Sequence, residues 1–208
     1  MYHHLEERQE MTRTKKTGKL DEKARKTRRK ILLAATRLFA RQGYRGTTVT
    51  DIAQAIDMTQ GALFHHFPNK EALLEAVVAR LSKGFEDYRQ AYESPGEKDA
   101  LIRVMDEMVV HYKSQPEATV CLAALATEFA GSGHPIINNI KEAYDSFVEP
   151  FAKALSKNPG VKNPKAAAIA YIGAVQGIGI QGMLRAGEPS LEEIALGFNN
   201  LLDTTIKI

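Results

Sequence analysis

The stretch TTVTDIAQAIDMTQGALFHHFPNKEALL, residues 47–74, carries side chains whose types and spacing suit the reading of duplex DNA. Thr48 can N-cap a helix over 49–55, with Asp51 three residues on as the acid of a capping box. Val49, Ile52, Ala53 and Ile56 fall on one apolar face of it. Asp57 and Met58 make a turn, and Thr59 caps a second short helix through Phe64. Two short helices joined in this way can set the second into a major groove. Gly61 has no side chain, so that helix can lie close to the groove floor, and Thr59 can serve as cap and phosphate ligand together. Leu63 and Phe67 read as core beneath it. His65 and His66 point about 100° apart on a helix and have no partner ligands nearby, so no metal site is expected.

The charge distribution agrees with a nucleic-acid partner. Residues 1–70 hold 15 Lys/Arg and 7 Asp/Glu, whereas the remainder holds 13 and 18, so the overall +3 conceals a basic head on an acidic body. Such a local excess is what phosphate neutralisation needs. The apolar content of 44% suffices for a core without disulfide or metal. The single cysteine, Cys121, excludes an internal disulfide and suggests a reducing compartment. No apolar run approaches the roughly 18 residues of a membrane span, and the N-terminus lacks a signal-peptide apolar region. The expectation is a soluble cytoplasmic protein with no membrane partner.

The elements that must position this segment read as helices throughout, so the fold class is all-α, with about nine helices. Residues 1–20 are polar, show little periodicity and are expected to have little order. A helix from about Asp21 to Gln42 buries Ile31, Ala35, Leu38 and Phe39, and Gly43 stops it. Tyr44 is then expected to tuck back towards the core. Asn69 caps a long helix from Lys70 to about Tyr92, the natural mechanical link from head to body. Further helices are expected at about 98–114, 117–130, 135–157, 164–186 and 190–206, punctuated by Pro and Gly. Ser190 and Glu193 form a capping box. The segment 164–186 carries Gly173, Gly177, Gly179 and Gly182. Each interior glycine costs about 0.5–1 kcal/mol against alanine, so close helix approach within the body and against a second subunit is expected. The domain boundaries are then 1–20 (arm), 21–69 (helix-turn-helix head) and 70–208 (helical body).

The head resembles the N-terminal DNA-binding domain of the TetR family of transcriptional regulators. The matching segments are ATRLFARQGYRGTTV, DIAQAIDM, TQGALFHHF and PNKEALL, covering about residues 28–78. The resemblance implies a homodimer on a palindromic operator, a ligand cavity in the body, and repression relieved by a small molecule. It also implies that Thr48 and Val49 lie near phosphate. Met58, Thr59, Gln60, Gly61, Phe64 and His65 would then face bases and backbone, with His66 and Lys70 touching phosphate. Gln60 stands where the family often has lysine; it can bond an adenine edge but cannot neutralise phosphate. Phe64 stands where tyrosine is usual and offers an apolar face to a thymine methyl. Arg45, Lys70 and the basic run 23–30 are therefore expected to carry more of the anchoring.

The body offers no catalytic constellation, and an enzyme is not expected. Cys121 opens the apolar segment CLAALATEF, which reads as a buried structural thiol. A ligand pocket would draw on Met105, Met108, Val109 and Tyr112, on Leu125 and Phe129, on Tyr144, Phe147 and Phe151, and on Tyr171 and Gln176. Tyr112, Glu128 and Gln176 could orient a polar group. An apolar or amphipathic effector fits this lining best, and no cofactor is implied. The expected function is a DNA-binding regulator, a repressor released by ligand. The rival is a DNA-bound spatial or structural protein of the same fold, acting through a protein partner.

Overall fold

The computed structural model describes residues 2–84, 97–185 and 187–205, with side chains over 21–83, 105–185 and 187–202. Its helices among these residues are α1 (Tyr2–Gln42), α2 (Val49–Gln54), α3 (Gln60–Phe64), α4 (Lys70–Gly84), α5 (Glu97–Ser114), α6 (Pro116–Phe129), α7 (Ile136–Leu155), α8 (Pro164–Leu184) and α9 (Leu191–Thr205). The all-α reading and the order of helices follow the sequence. The expected continuation of α4 to Tyr92 lies outside the described residues.

Two expectations need correction. The first helix begins at Tyr2 rather than near Asp21. Residues 2–20 contain no proline and one glycine, and Glu, Gln, Lys and Arg all propagate helix well. Polarity there was a poor guide to local order. Second, α8 is 21 residues long with a mean hydropathy of 1.4, which by length and composition alone would suffice to cross a membrane. Its alanines and glycines interrupt the pattern of large apolar residues without lowering hydropathy.

Packing divides the chain differently from its charge. One core unites the head with part of the body: Ile31, Phe39, Ile52, Leu63 and Leu73 share a cluster with Cys121, Leu125, Phe129 and Phe147. The second contains Met105, Phe151, Tyr171 and Val175. The α1 helix lies along α6, and the N-terminal half of α7 joins the head-side core. Helix α4 is therefore one of two links between head and body, and the α1–α6 contact is the other.

That second link has a defined chemistry. Gly43 stops α1 at φ +74°, a left-handed value that favours glycine. A Cβ there would also lie 2.9 Å from Glu128 Oε2. The next two backbone N–H groups turn to the body: Tyr44 N donates to Glu128 Oε2 (2.7 Å) and Arg45 N to Oε1 (2.8 Å). The Tyr44 ring stands between Phe39 and Phe129, 5.5 Å from each. Its hydroxyl donates to Glu71 Oε2 at 2.9 Å. Burial, then this bond to Glu71, pushes the phenol up to about 12.

The glycines of α8 have unequal roles. A Cβ on Gly179 would come within 2.5 Å of the Tyr112 ring, so that glycine admits α5 against α8. Gly173 and Gly177 face open space.

Two substitutions test these contacts by thermal and denaturant unfolding. Gly179→Ala should destabilise by about 1–2 kcal/mol, overpacking against Tyr112 outweighing the gain in helix propensity. Glu128→Ala leaves two backbone donors without their acceptor and should cost about 2–3 kcal/mol. A loss below experimental error in the latter would mean that the carboxylate does not fasten head to body.

Candidate nucleic-acid interface

The local chemistry of 47–70 shows why these residues adopt a fixed shape. Thr48 and Asp51 form a reciprocal capping box: Thr48 N donates to Asp51 Oδ2 (2.7 Å) and Asp51 N to Thr48 Oγ1 (3.1 Å). The Thr48 bonds hold the Asp51 carboxyl below its usual range. Helix α2 ends with Asp57 at φ +56°, where Met58 N donates to Ala53 O (2.9 Å) and Asp57 N to Gln54 O (3.2 Å). This is a Schellman turn with aspartate in the left-handed position, one of the few residues that tolerates it. Thr59 Oγ1 caps α3 by accepting from Ala62 N at 3.2 Å. Ile52, Ala53, Leu63 and Phe67 are buried underneath. Both short helices are thus fixed from below and capped at their starts, which leaves their outer faces to solvent.

The expected contact residues fall into three groups. Thr48, Thr59, Gln60, Gly61, Phe64 and His65 are exposed along α2 and α3. A Cβ on Gly61 would meet nothing within 4 Å, so no protein contact requires the glycine. Phe64 is 40% exposed, an unusual position for so large an apolar ring on a small head. Val49 and Met58 are half-buried and pack against the head's core, so they brace the surface from behind. Their apolar spacing is the ordinary signature of a buried face.

The remaining three are already engaged. Lys70 Nζ lies 4.1 Å from the centroid of the Tyr44 ring, and burial pushes its ammonium below the usual lysine range. Arg45 is exposed with Nε 3.8 Å from Glu128 Oε1. The backbone carbonyl of half-buried His66 accepts from Arg28 Nη1 at 2.9 Å, while the Arg28 guanidinium stacks 4.0 Å over Phe67. Arg28, one of the basic run, therefore also ties α1 to the end of α3.

The residues expected to line a ligand pocket are divided between the two cores. Leu125, Phe129 and Phe147 belong to the head-side core with Tyr144 against it, while Met105, Phe151 and Tyr171 belong to the other. Gln176 Nε2 donates to Tyr144 Oη at 2.6 Å, and Glu128 faces the head. Met105, Met108, Val109 and Tyr112 of the expected set line one cavity, of about 10 Å³, together with Thr119 and Gly179. Apolar periodicity identified core residues without telling which core. Tyr112 Oη and Thr119 Oγ1 are buried there without a hydrogen-bond partner among the described residues. Cys121 is fully buried and burial pushes its thiol up to about 12, the state of an unreactive structural cysteine. Among the described residues no group of three or more His, Cys, Asp or Glu could hold a metal ion.

Residues missed by sequence reasoning are Glu71 and Arg80. Glu71 joins Tyr44 to His134, whose Nε2 lies 3.4 Å from Glu71 Oε1. Neither contact has a local spacing that would betray it.

Comparison with known proteins agrees with this geometry. Residues 31–77 match the family described as bacterial regulatory proteins, tetR family. The transcriptional regulator TtgR of Pseudomonas putida is 34% identical over 101 residues, 45% of this chain and 48% of its own length. The repressor AcnR of Corynebacterium diphtheriae is 37% identical over 84 residues, 40% of each chain. The chain thus spans about half the length, or less, of the curated relatives it matches. Solved structures match over nearly the whole chain. The regulator MbdR from Azoarcus sp. CIB has a TM-score of 0.72 at 21% identity, covering 84% of this chain and 95% of that one. Apo AibR has a TM-score of 0.63 at 27% identity, covering 84% and 97%. AibR has also been solved with isovaleryl coenzyme A and operator DNA, with a TM-score of 0.69 at 24% identity over 84% and 96%. The capped α2–α3 pair thus lies within the segment matched by the tetR family of bacterial regulatory proteins, and the nine described helices are arranged as in these solved structures.

Proposed function

We propose that this protein is a homodimeric repressor that binds a palindromic operator through α2 and α3 and is released by a small molecule. The observation that carries the reading is the outer face of α3. It shows Thr59, Gln60, Gly61, Phe64 and His65 to solvent, on a helix held by a cap and a fully buried underside. Gln60 supplies base recognition, Phe64 an apolar contact, and Thr48 and Thr59 phosphate ligands. Arg45 and Lys70 flank this face. Each has an internal partner, so exchange of that partner for phosphate couples DNA contact to the α1–α6 joint.

The dimer reading rests on α8 and α9. Ile169, Gly173, Gly177 and Leu184 lie within one stripe at helical spacing, with Ile169 53% and Leu184 73% exposed and no Cβ contact at either glycine. Leu196 and Leu201 on α9 are also exposed. Apolar side chains beside glycines on a solvent-facing stripe fit a close helix contact with a second copy. Ligand responsiveness is supported by likeness to AibR, solved with both a small molecule and operator DNA. In the body, Met105 and Met108 beside two unpartnered hydroxyls form a place where an amphipathic ligand could open the packing. The division into a head (21–69) and a body (70–208), acting in the cytoplasm, belongs to the same proposal.

Two measurements test it. Gln60→Ala should weaken binding to an operator taken from upstream of the protein's own gene by about tenfold, with unfolding unchanged; equal affinity and equal sequence preference would count against α3 as reader. Ile169→Lys should shift sedimentation from dimer to monomer and abolish cooperative operator binding. A variant that remains dimeric would place the interface elsewhere.

A further inference from the structure

A second cavity lies outside the body interior. An open cleft of about 1020 Å³ lies where α1, α4 and the α5–α6 corner meet. Four cations line it: Arg28 and Arg29 from α1, Arg80 and Lys83 from α4. Among the described residues no carboxylate lines it, and none forms an ion pair with Arg29, Arg80 or Lys83. Arg28 is tied to His66 and Phe67, which leaves the other three available. Arg80 is half-buried, and burial and the neighbouring Arg29 guanidinium both push it below the usual arginine range. The same two helices also line it with apolar residues, Leu32 and Leu33 from α1 and Ala76 and Ala79 from α4, with Leu33 40% exposed.

This combination specifies a ligand. Like charges brought together without a carboxylate are relieved by an anion, and guanidinium groups match the fork of a carboxylate or phosphate oxygen pair. The leucines and alanines beside them suit an alkyl or acyl chain. At about 1020 Å³ the cleft is at the large end of small-molecule sites.

We propose that the cleft between α1, α4 and the α5–α6 corner is a binding site for an amphipathic anion. The carboxylate or phosphate head is held by Arg29, Arg80 and Lys83, and the apolar tail lies on Leu32, Leu33, Ala76 and Ala79. The site is separate from the cavity at Tyr112 and Thr119. Its occupant bridges the two helices that connect head to body, so its coupling to operator release rests on the functional reading above, whereas binding itself does not.

Calorimetric titration of the intact protein tests binding. Decyl phosphate and decanoate are the probes, used well below self-association, with decanol and decyltrimethylammonium as neutral and cationic comparators of equal chain length. Both anions should bind at one site per chain and both comparators at least about tenfold more weakly; the tighter anion identifies the preferred head. Inorganic phosphate should bind about tenfold more weakly than decyl phosphate, reporting the tail. Arg80→Gln and, at the exposed rim, Lys83→Glu should each weaken the anions by about tenfold or more without changing the unfolding temperature. Equal binding of all four amphiphiles, or anion binding untouched by Lys83→Glu, would overturn the site. Duplex DNA is the competing partner for a cationic cleft. If Arg80→Gln, measured without amphiphile, lowers DNA affinity and the salt slope by about one counterion, the cleft is a phosphate contact and the proposal falls. Failure of the wild-type chain to bind duplex would instead overturn the regulator reading and leave the calorimetry intact.

Discussion

Where α1 ends, its chain must turn and find acceptors for the backbone N–H groups that no longer point along a helix. Gly43 provides the turn and the Glu128 carboxylate provides both acceptors, one oxygen each for Tyr44 and Arg45. Charge-assisted bonds of this kind are stronger than neutral ones, and the carboxylate belongs to α6 of the body rather than to the head. Every residue from Thr47 to Lys70 is placed with reference to that turn. The position of α2 and α3 is therefore set in part by a side chain more than eighty residues later in the sequence.

The same joint explains how a change in the body could be felt by α3. Tyr44 touches Phe39 of the head, Phe129 of α6, Glu71 of α4 and, through its ring, Lys70. His134 follows α6, stacks on Phe129 at 4.8 Å and faces Glu71. Its Nδ1 accepts from Ile136 N, which places the remaining ring N–H on the side of Glu71. A shift of α6 against α1 would have to repartner Glu128, Tyr44 and Glu71 together, because each group shares an atom or a ring with the next. Coupling through such a set favours two discrete arrangements over a gradual drift. Arg45 and Lys70, which flank α2 and α3 in the sequence, lie at its edge.

Much of this was legible in the sequence because it depends on local rules. The Thr48–Asp51 box, the Thr59 cap, the Gly43 stop and the Ser190–Glu193 box are contacts between residues three or four apart, and all are present. The apolar stripes likewise marked Ile31, Phe39, Leu63 and Phe67 as core. What escaped were pairings without a period. Glu128 reads as a polar residue near the end of an apolar helix, equally suited to a ligand or to solvent. Nothing in the spacing of Tyr44 and Glu71 announces their bond. The body residues were only partly legible for a related reason: periodicity shows which face of a helix is buried, and α7 buries one end in the head-side core and the other in the distal one. Val49 illustrates the opposite limit, since the family resemblance set it near phosphate whereas its apolar spacing with Ile52, Ala53 and Ile56 set it against the core.

The two cavities differ for physical reasons. At Tyr112 the walls are apolar apart from two hydroxyls, and close packing removes the space: the Tyr112 ring occupies the volume left by the missing side chain of Gly179. A cavity so lined closes unless something holds it open, because dispersion contacts across it are favourable. At the head–body junction the walls carry Arg29, Arg80 and Lys83. Collapse there would bring guanidinium and ammonium groups together out of water, where repulsion is screened least. The junction therefore stays open for the same reason that it selects an anion. The leucines and alanines beside those charges complete it, since an anion without an apolar portion would leave Leu33 in water.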